Sequence, residues 1–199
     1  MLKSSDDVDE RLSALGARLS VATEESFDIL VCGGSALLFQ RLTNRATRDV
    51  DVLGLIRPGP TGALAVEAAR PLPDALTKAA ESVARDYNLE PSWINPGPTS
   101  ILDFGLPEGM LERTVVKRFG PRLTVRFISR LDLIHLKLDA ASEGPGKHYD
   151  DLRALNPAKE ELRLAARWCV KNVDSSEGYV AQLKSLLVVL GHPDVAEGI

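Results

Sequence analysis

Val8, Leu12, Leu15 and Leu19 recur at three- to four-residue intervals, so the spacing predicts an amphipathic helix over 8–19. The next apolar run, Phe27-Asp28-Ile29-Leu30-Val31-Cys32, is short and rich in β-branched residues and reads as a buried strand. It runs into Gly33-Gly34, a tight turn from which a helix over 35–41 departs. A second β-type run covers 49–56, and 58–62 is turn-rich.

Ala75, Leu76, Ala79, Ala80 and Val83 mark one face of a helix over 73–86. The stretch 91–109 holds four prolines and three glycines, so it is expected to be irregular apart from a short strand near Trp93-Ile94. Segments 114–119 and 123–128, separated by Gly120-Pro121, form a hairpin candidate. The last third is helical in pattern. Helices are expected over 131–141, 149–155, 156–171 and 176–190. Ser129 and Asp132 have capping-box-like spacing before the first of these. Asn156-Pro157 reads as an N-cap followed by proline at the first helical position, and Gly191 as a stop. The layer solution for this order is an α+β architecture, a mixed sheet flanked by helices, with a C-terminal helical segment. The division expected is a core over 1–128 and a helical segment over 129–199 that packs on it and contributes to its site.

Composition narrows the class. A chain of 199 residues with 44% hydrophobic and 26% charged residues can bury a core. A net charge of −4 argues against a strongly basic nucleic-acid binder. Cys32 and Cys169 belong to no CxxC or Cys/His cluster, so no zinc site is expected and a reduced, cytoplasmic setting fits. No apolar run approaches the roughly 18 residues that span a bilayer, so no membrane association is expected. The acidic, polar first ten residues lack the chemistry of a signal peptide.

The candidate chemistry lies at two places. In Asp49-Val50-Asp51 the carboxylates stand two apart in a strand and point to one face, with Val50 and Val52 on the other. Two such charges repel unless a cation lies between them, which a hard divalent ion supplies; a solvated acidic strand edge is the alternative. Upstream, Gly33-Gly34-Ser35 opens a helix. Glycines let backbone N–H groups approach a phosphate, and the Ser35 hydroxyl can donate to it; a plain tight turn is the alternative. Arg45 and Arg48 flank the carboxylates, placed either for a triphosphate or RNA backbone or simply for solvent. Lys137 interrupts an apolar helix, on its solvated face or aimed into a cleft. Asp150 and Asp151 fit the charged first turn of a helix. His135 and His148 have no metal-ligand spacing with a third residue.

Taken together, Gly34-Ser35, thirteen intervening residues and Asp49-Val50-Asp51 resemble the signature of the DNA polymerase β-type nucleotidyltransferases. The runs 32–37 and 47–52 are similar to the AbiEii/MenT-like branch. Phe127-Ile128-Ser129-Arg130-Leu131 through Lys137-Leu138 resembles that branch's lysine-bearing strand–helix segment, and Lys147-His148-Tyr149-Asp150-Asp151-Leu152 its basic-x-x-x-Asp-Leu motif. The resemblance covers roughly residues 27–170. It implies a nucleotidyltransferase-like sheet in which Asp49 and Asp51 bind Mg²⁺ or Mn²⁺. Gly33, Gly34, Ser35 and Arg48 would hold the nucleotide, Lys137 would reach a phosphate, and Asp151 would complete the polar cluster. The implied substrate is an NTP and the implied acceptor a hydroxyl of tRNA or protein. The implied context is a toxin–antitoxin or phage-defence system with a cognate partner protein. One departure stands out. Where many members carry a third carboxylate on a later strand, this chain offers Asn95, with Asp103 nearby. Either Asp151 substitutes, or the site is weak or inactive.

Overall fold

The computed structural model describes residues 1–59 and 62–199; the expected turn over 58–62 therefore lies partly outside the described residues. The chain divides into two compact units, 1–103 with 109–129, and 104–108 with 130–199.

The first unit is built on a mixed sheet. Its strands are β1 (Phe27–Cys32), β2 (Val50–Pro58), β3 (Leu64–Glu67), β4 (Ile94–Asn95), β5 (Val115–Arg118) and β6 (Leu123–Phe127). The main path runs β3-β2-β1-β6-β5. β1 is antiparallel to β2 and parallel to β6. The outer edge of β2 is shared: β3 pairs antiparallel with its far half, β4 parallel with its first two residues. β5 and β6 are the expected hairpin. Helices α1 (Ser5–Ala22), α2 (Gly33–Phe39) and α3 (Asp74–Tyr87) flank this sheet.

α1 forms because Val8, Leu12, Leu15 and Leu19 lie on one stripe, and all four are fully buried. The Ser4 side chain accepts from Asp7 N–H and caps its start. α3 buries Leu76, Ala79, Ala80 and Val83, while Ala75 is only half-buried. It stops at Asn88, whose φ of 50° is left-handed. The Trp93 indole donates to Ala80 O at 2.9 Å, which fixes β4 against α3.

The second unit consists of helices α4 (Arg130–Ser142), α5 (Lys147–Leu155), α6 (Lys159–Trp168), α7 (Glu177–Val189) and α8 (Pro193–Glu197), with a π-turn over Cys169–Val173 after α6. α4 is its axis, burying apolar residues together with Asp132, His135 and Lys137. Arg130 donates to Leu155 O at 2.6 Å and pairs with Glu161, tying the start of α4 to the end of α5 and the start of α6. Residues 104–108 are anchored here. The Trp168 indole donates to Gly105 O at 3.1 Å, and the Asn172 amide to Phe104 O at 3.1 Å.

Four local expectations change. Gly33 and Gly34 form the first turn of α2 rather than a turn before it. Asn156 is not an N-cap: with φ 44° it is the left-handed C-cap of α5, and α6 begins at Lys159. Between them, Ala158 N–H donates to the Glu161 carboxylate at 2.7 Å, half of a capping box. Strand β3 and helix α8 were not expected, being four and five residues long and too short to show a period. The Pro-rich stretch holds a 3-10 helix, Gly97–Phe104, pinned by the buried Thr99 hydroxyl, which donates to Leu53 O at 2.8 Å and accepts from Ala69 N–H at 2.9 Å.

Candidate functional site

Two polar clusters hold the residues singled out from the sequence, one in each unit. The first is set by strand register. Cys32, the last residue of β1, lies opposite Asp51 in β2. The chain then turns directly into α2, so the first turn of that helix stands beside the Asp51 carboxylate. This closeness dictates the glycines. Gly33 has φ 70°, and a Cβ there would overlap Asp51 Oδ2 and stand 3.0 Å from Cγ. At Gly34 a Cβ would stand 2.7 Å from Thr47 Oγ1 and 2.9 Å from its Cβ. Neither leaves room for a side chain.

β2 begins at Val50, so Asp49 lies just before the strand. Val50 and Val52 are fully buried, while Asp49 and Asp51 are half-buried. Asp49 accepts from Thr47 Oγ1 at 3.3 Å. Thr47 is itself fixed by a two-bond bridge to Leu2, with Leu2 N–H to Thr47 O at 2.8 Å and Thr47 N–H to Leu2 O at 2.9 Å. Asp51 accepts from Asn95 Nδ2 at 3.4 Å, and the two residues are register partners in the parallel β2–β4 pair. Arg48 is exposed between the carboxylate strand and Thr47. Ser35 is fully buried, and its hydroxyl donates to Cys32 O at 3.3 Å. In that rotamer it braces the turn; reaching a phosphate requires a different χ1.

The second cluster lies on α4 and α5. Lys137 is not on a solvated face: it is 5% exposed and donates to Asp151 Oδ2 at 2.7 Å, with Asp151 2% exposed. Lys137 Nζ also stands 3.3 Å from His148 Nδ1. An ammonium can only donate, so in this contact Nδ1 is the acceptor. His148 and Asp151 are three apart on α5 and therefore share a face. Asp150, one residue earlier, is exposed. His135 is buried with Nδ1 2.8 Å from Leu131 O, a contact within its own helix.

A third polar chain joins α4 to α7. Tyr179 donates to Asp139 Oδ1 at 2.7 Å. Burial raises the Asp139 carboxyl, a shift that the Tyr179 hydrogen bond partly offsets and Glu143 reinforces. Burial pushes the adjacent Cys169 thiol up to about 12, so it is protonated at neutral pH and is no nucleophile. The Tyr179 hydroxyl is likewise raised by burial.

No family model, curated protein or solved structure matches this chain. The geometry therefore stands alone. Among the described residues, no three His, Cys, Asp or Glu side chains gather as a metal site. Carboxylate oxygens suit a hard divalent cation in donor type, and the space a Gly33 Cβ would fill is taken by the Asp51 carboxylate. No helix of the described residues is long and apolar enough to cross a membrane.

Sequence reasoning missed three participants. Leu2 carries no signal, since its role is a backbone bridge to a residue 45 positions later. Thr47 was visible only as part of a motif, yet it contacts both Gly34 and Asp49. His148 has no metal spacing in the sequence, which offers it only a local charge network beside Asp150 and Asp151, and it stands instead against Lys137 of α4.

Proposed function

We propose that this protein is a nucleotidyltransferase that moves a nucleoside monophosphate from an NTP to an acceptor hydroxyl. The observation that carries the reading is the pairing of Cys32 with Asp51, which sets the glycine-opened α2 turn against the carboxylate strand. The glycine-opened α2 turn and the Asp51 carboxylate thus stand side by side. Such transfer needs charge neutralisation and in-line positioning more than covalent chemistry.

Asp49 and Asp51 would hold Mg²⁺, which when bound neutralises phosphate charge. The chain's own residues do the rest. The amides of the first α2 turn and Arg48 bind the phosphates. Asp49, steadied by Thr47, or Asp51, steadied by Asn95, takes the proton of the acceptor hydroxyl. The acceptor oxygen bonds to the α-phosphorus as the bond from that phosphorus to the β-phosphate oxygen breaks, and pyrophosphate leaves with the electron pair. Lys137, to which the resemblance gives a phosphate-binding role, is held within the helical unit by Asp151 and His148. tRNA or a protein is the proposed acceptor, and a toxin–antitoxin or phage-defence system with a cognate partner the proposed setting.

A second reading is an NTP-binding or interaction module with little turnover. It is favoured by Asn95 in place of an acid beside Asp51, and by the Ser35 hydroxyl turned to Cys32. Incubation with each α-labelled NTP, Mg²⁺ and total tRNA or cell protein separates the two. Label transfer that disappears in Asp49→Ala and Asp51→Ala supports the enzyme. Nucleotide binding without transfer to any acceptor supports the module.

A further inference from the structure

β5 ends the sheet. It pairs with β6 on one side, and among the described residues no strand lies on its other side. The hairpin register decides which backbone groups face that open edge. Phe119 N–H donates to Leu123 O at 2.8 Å, so these two residues form a hydrogen-bonded pair of the antiparallel ladder. Bonded and non-bonded pairs alternate along such a ladder. Lys117 and Val115 are therefore bonded to Val125 and Phe127, while Val116 and Arg118 turn their N–H and C=O outward. The other side of β6 agrees: Arg122 O accepts from Phe27 N–H at 2.8 Å, and Ile128 N–H donates to Val31 O at 3.0 Å. The alternate residues of β6 thus face β1, and those between them face β5. Two donors and two acceptors stand at the edge of β5 in the spacing that an added strand takes up.

The side chains select the kind of strand. Val115 is 42% exposed and Val116 49%, one on each face of the sheet. Lys117 is engaged with Asp9 of α1, and Arg126, beside Val116, with Asp28. Arg118 is exposed on the same face as Val116 and is the cation the edge offers to an incoming strand. The basic residues also oppose self-pairing. Two β5 strands laid together bring Lys117 and Arg118 of both copies into one four-residue overlap, on chains that each carry a net charge of −4.

We propose that the open edge of β5 takes up an extended segment of a partner protein, with an acidic residue opposite Arg118 and apolar residues opposite Val115 and Val116. Main-chain hydrogen bonds to Val116 and Arg118 hold the segment, and the cation and the two valines choose it. The carboxylate site on β1 and β2 takes no part.

The probe is a capped peptide, Glu-Thr-Val-Val-Thr-Glu, which offers the same pattern to a parallel or an antiparallel fit. It is added to the isotope-labelled full chain, and amide hydrogen exchange is followed by nuclear magnetic resonance. Exchange at Val116 and Arg118 is expected to slow about tenfold, with little change at Val115 and Lys117, which β6 already bonds. The peptide Lys-Thr-Val-Val-Thr-Lys should bind wild type about fivefold more weakly, and Arg118→Glu should reverse that order. Val116→Pro removes an outward N–H without touching the ladder to β6, because proline is tolerated on the outer side of an edge strand, and it should lose the peptide. Unchanged exchange at Val116 and Arg118 overturns the proposal. So does an order of the two peptides that Arg118→Glu leaves as it was. Slow exchange at these amides without peptide, in a chain that sediments as a dimer, overturns it in favour of a second copy. Should Val116→Pro fail to fold, as judged by circular dichroism, the charge reversal at the exposed Arg118 still decides.

Discussion

At the scale of single residues, the site depends on what is missing from Gly33. Its φ of 70° and the Asp51 carboxylate against its Cα together forbid a side chain. Gly33→Ala therefore carries two costs: backbone strain of about 1–3 kcal/mol, and overlap with the carboxylate. The second cost vanishes if the carboxylate is removed. Urea unfolding should show Gly33→Ala destabilised, and Asp51→Ala should recover part of that loss in the Gly33→Ala background but gain nothing comparable in wild type. Strictly additive effects would show that the two residues do not meet. Asp139 gives a second test. Its carboxyl is raised in the folded state by burial. The protonated form therefore favours the fold, a contribution complete below the unfolded value and lost as pH rises through the folded one. Stability measured from about pH 4 to about pH 7 should fall less steeply with rising pH in Asp139→Asn than in wild type. Parallel curves would remove the assignment. Readable in sequence at this scale were the buried Val50 and Val52 and the half-buried Asp51 between them; that Gly33 and Gly34 make room for Asp51 and Thr47 was not. Thr47, Leu2 and the orientation of Asn95 were not, because each depends on a backbone partner distant in the chain.

At the scale of elements, α4 and α5 are held by a buried ion pair. Lys137 and Asp151 are 2.7 Å apart and nearly inaccessible to solvent. Removing one partner strands a buried charge, so Lys137→Met should cost about 3–5 kcal/mol in chemical denaturation. The double variant Lys137→Met/Asp151→Leu should regain most of it. If Lys137 also serves a phosphate, the double variant regains stability without regaining label transfer, and this separates its structural role from its proposed functional one. The periodicity of α4 indicated the helix but not the burial of Lys137, because a helix apolar on most sides gives no face to which its one lysine must belong. The boundary at Asn156 went the other way. Asn before Pro fits an N-cap by composition, yet asparagine also tolerates the left-handed conformation, and α5 needed a terminator there.

At the scale of the whole chain, the two units are not simple consecutive segments, because residues 104–108 belong with the helical one. Trp168, 7% exposed, reports on this through its bond to Gly105 O. A fragment of residues 130–199 should show red-shifted tryptophan emission and a lower melting temperature than the same fragment joined by a flexible linker to residues 104–108. Equal emission and melting for the two would mean the short segment contributes nothing to that unit.

The sequence by itself determined the elements with a strong period: α1, β1, β2, α3, the β5–β6 hairpin and the axis of the helical unit. It did so because burial of one face imposes a repeat that local spacing records. It also determined where acidic, glycine and basic groups occur. Tertiary structure decided which of these meet. The register of β1 on β2 brought Gly33 to Asp51, and the parallel pairing of β4 on β2 brought Asn95 there as well. Hydrogen-bonded register is a long-range choice, made by sheet pairing rather than by any local pattern, and in this protein it places a neutral amide beside the carboxylate pair.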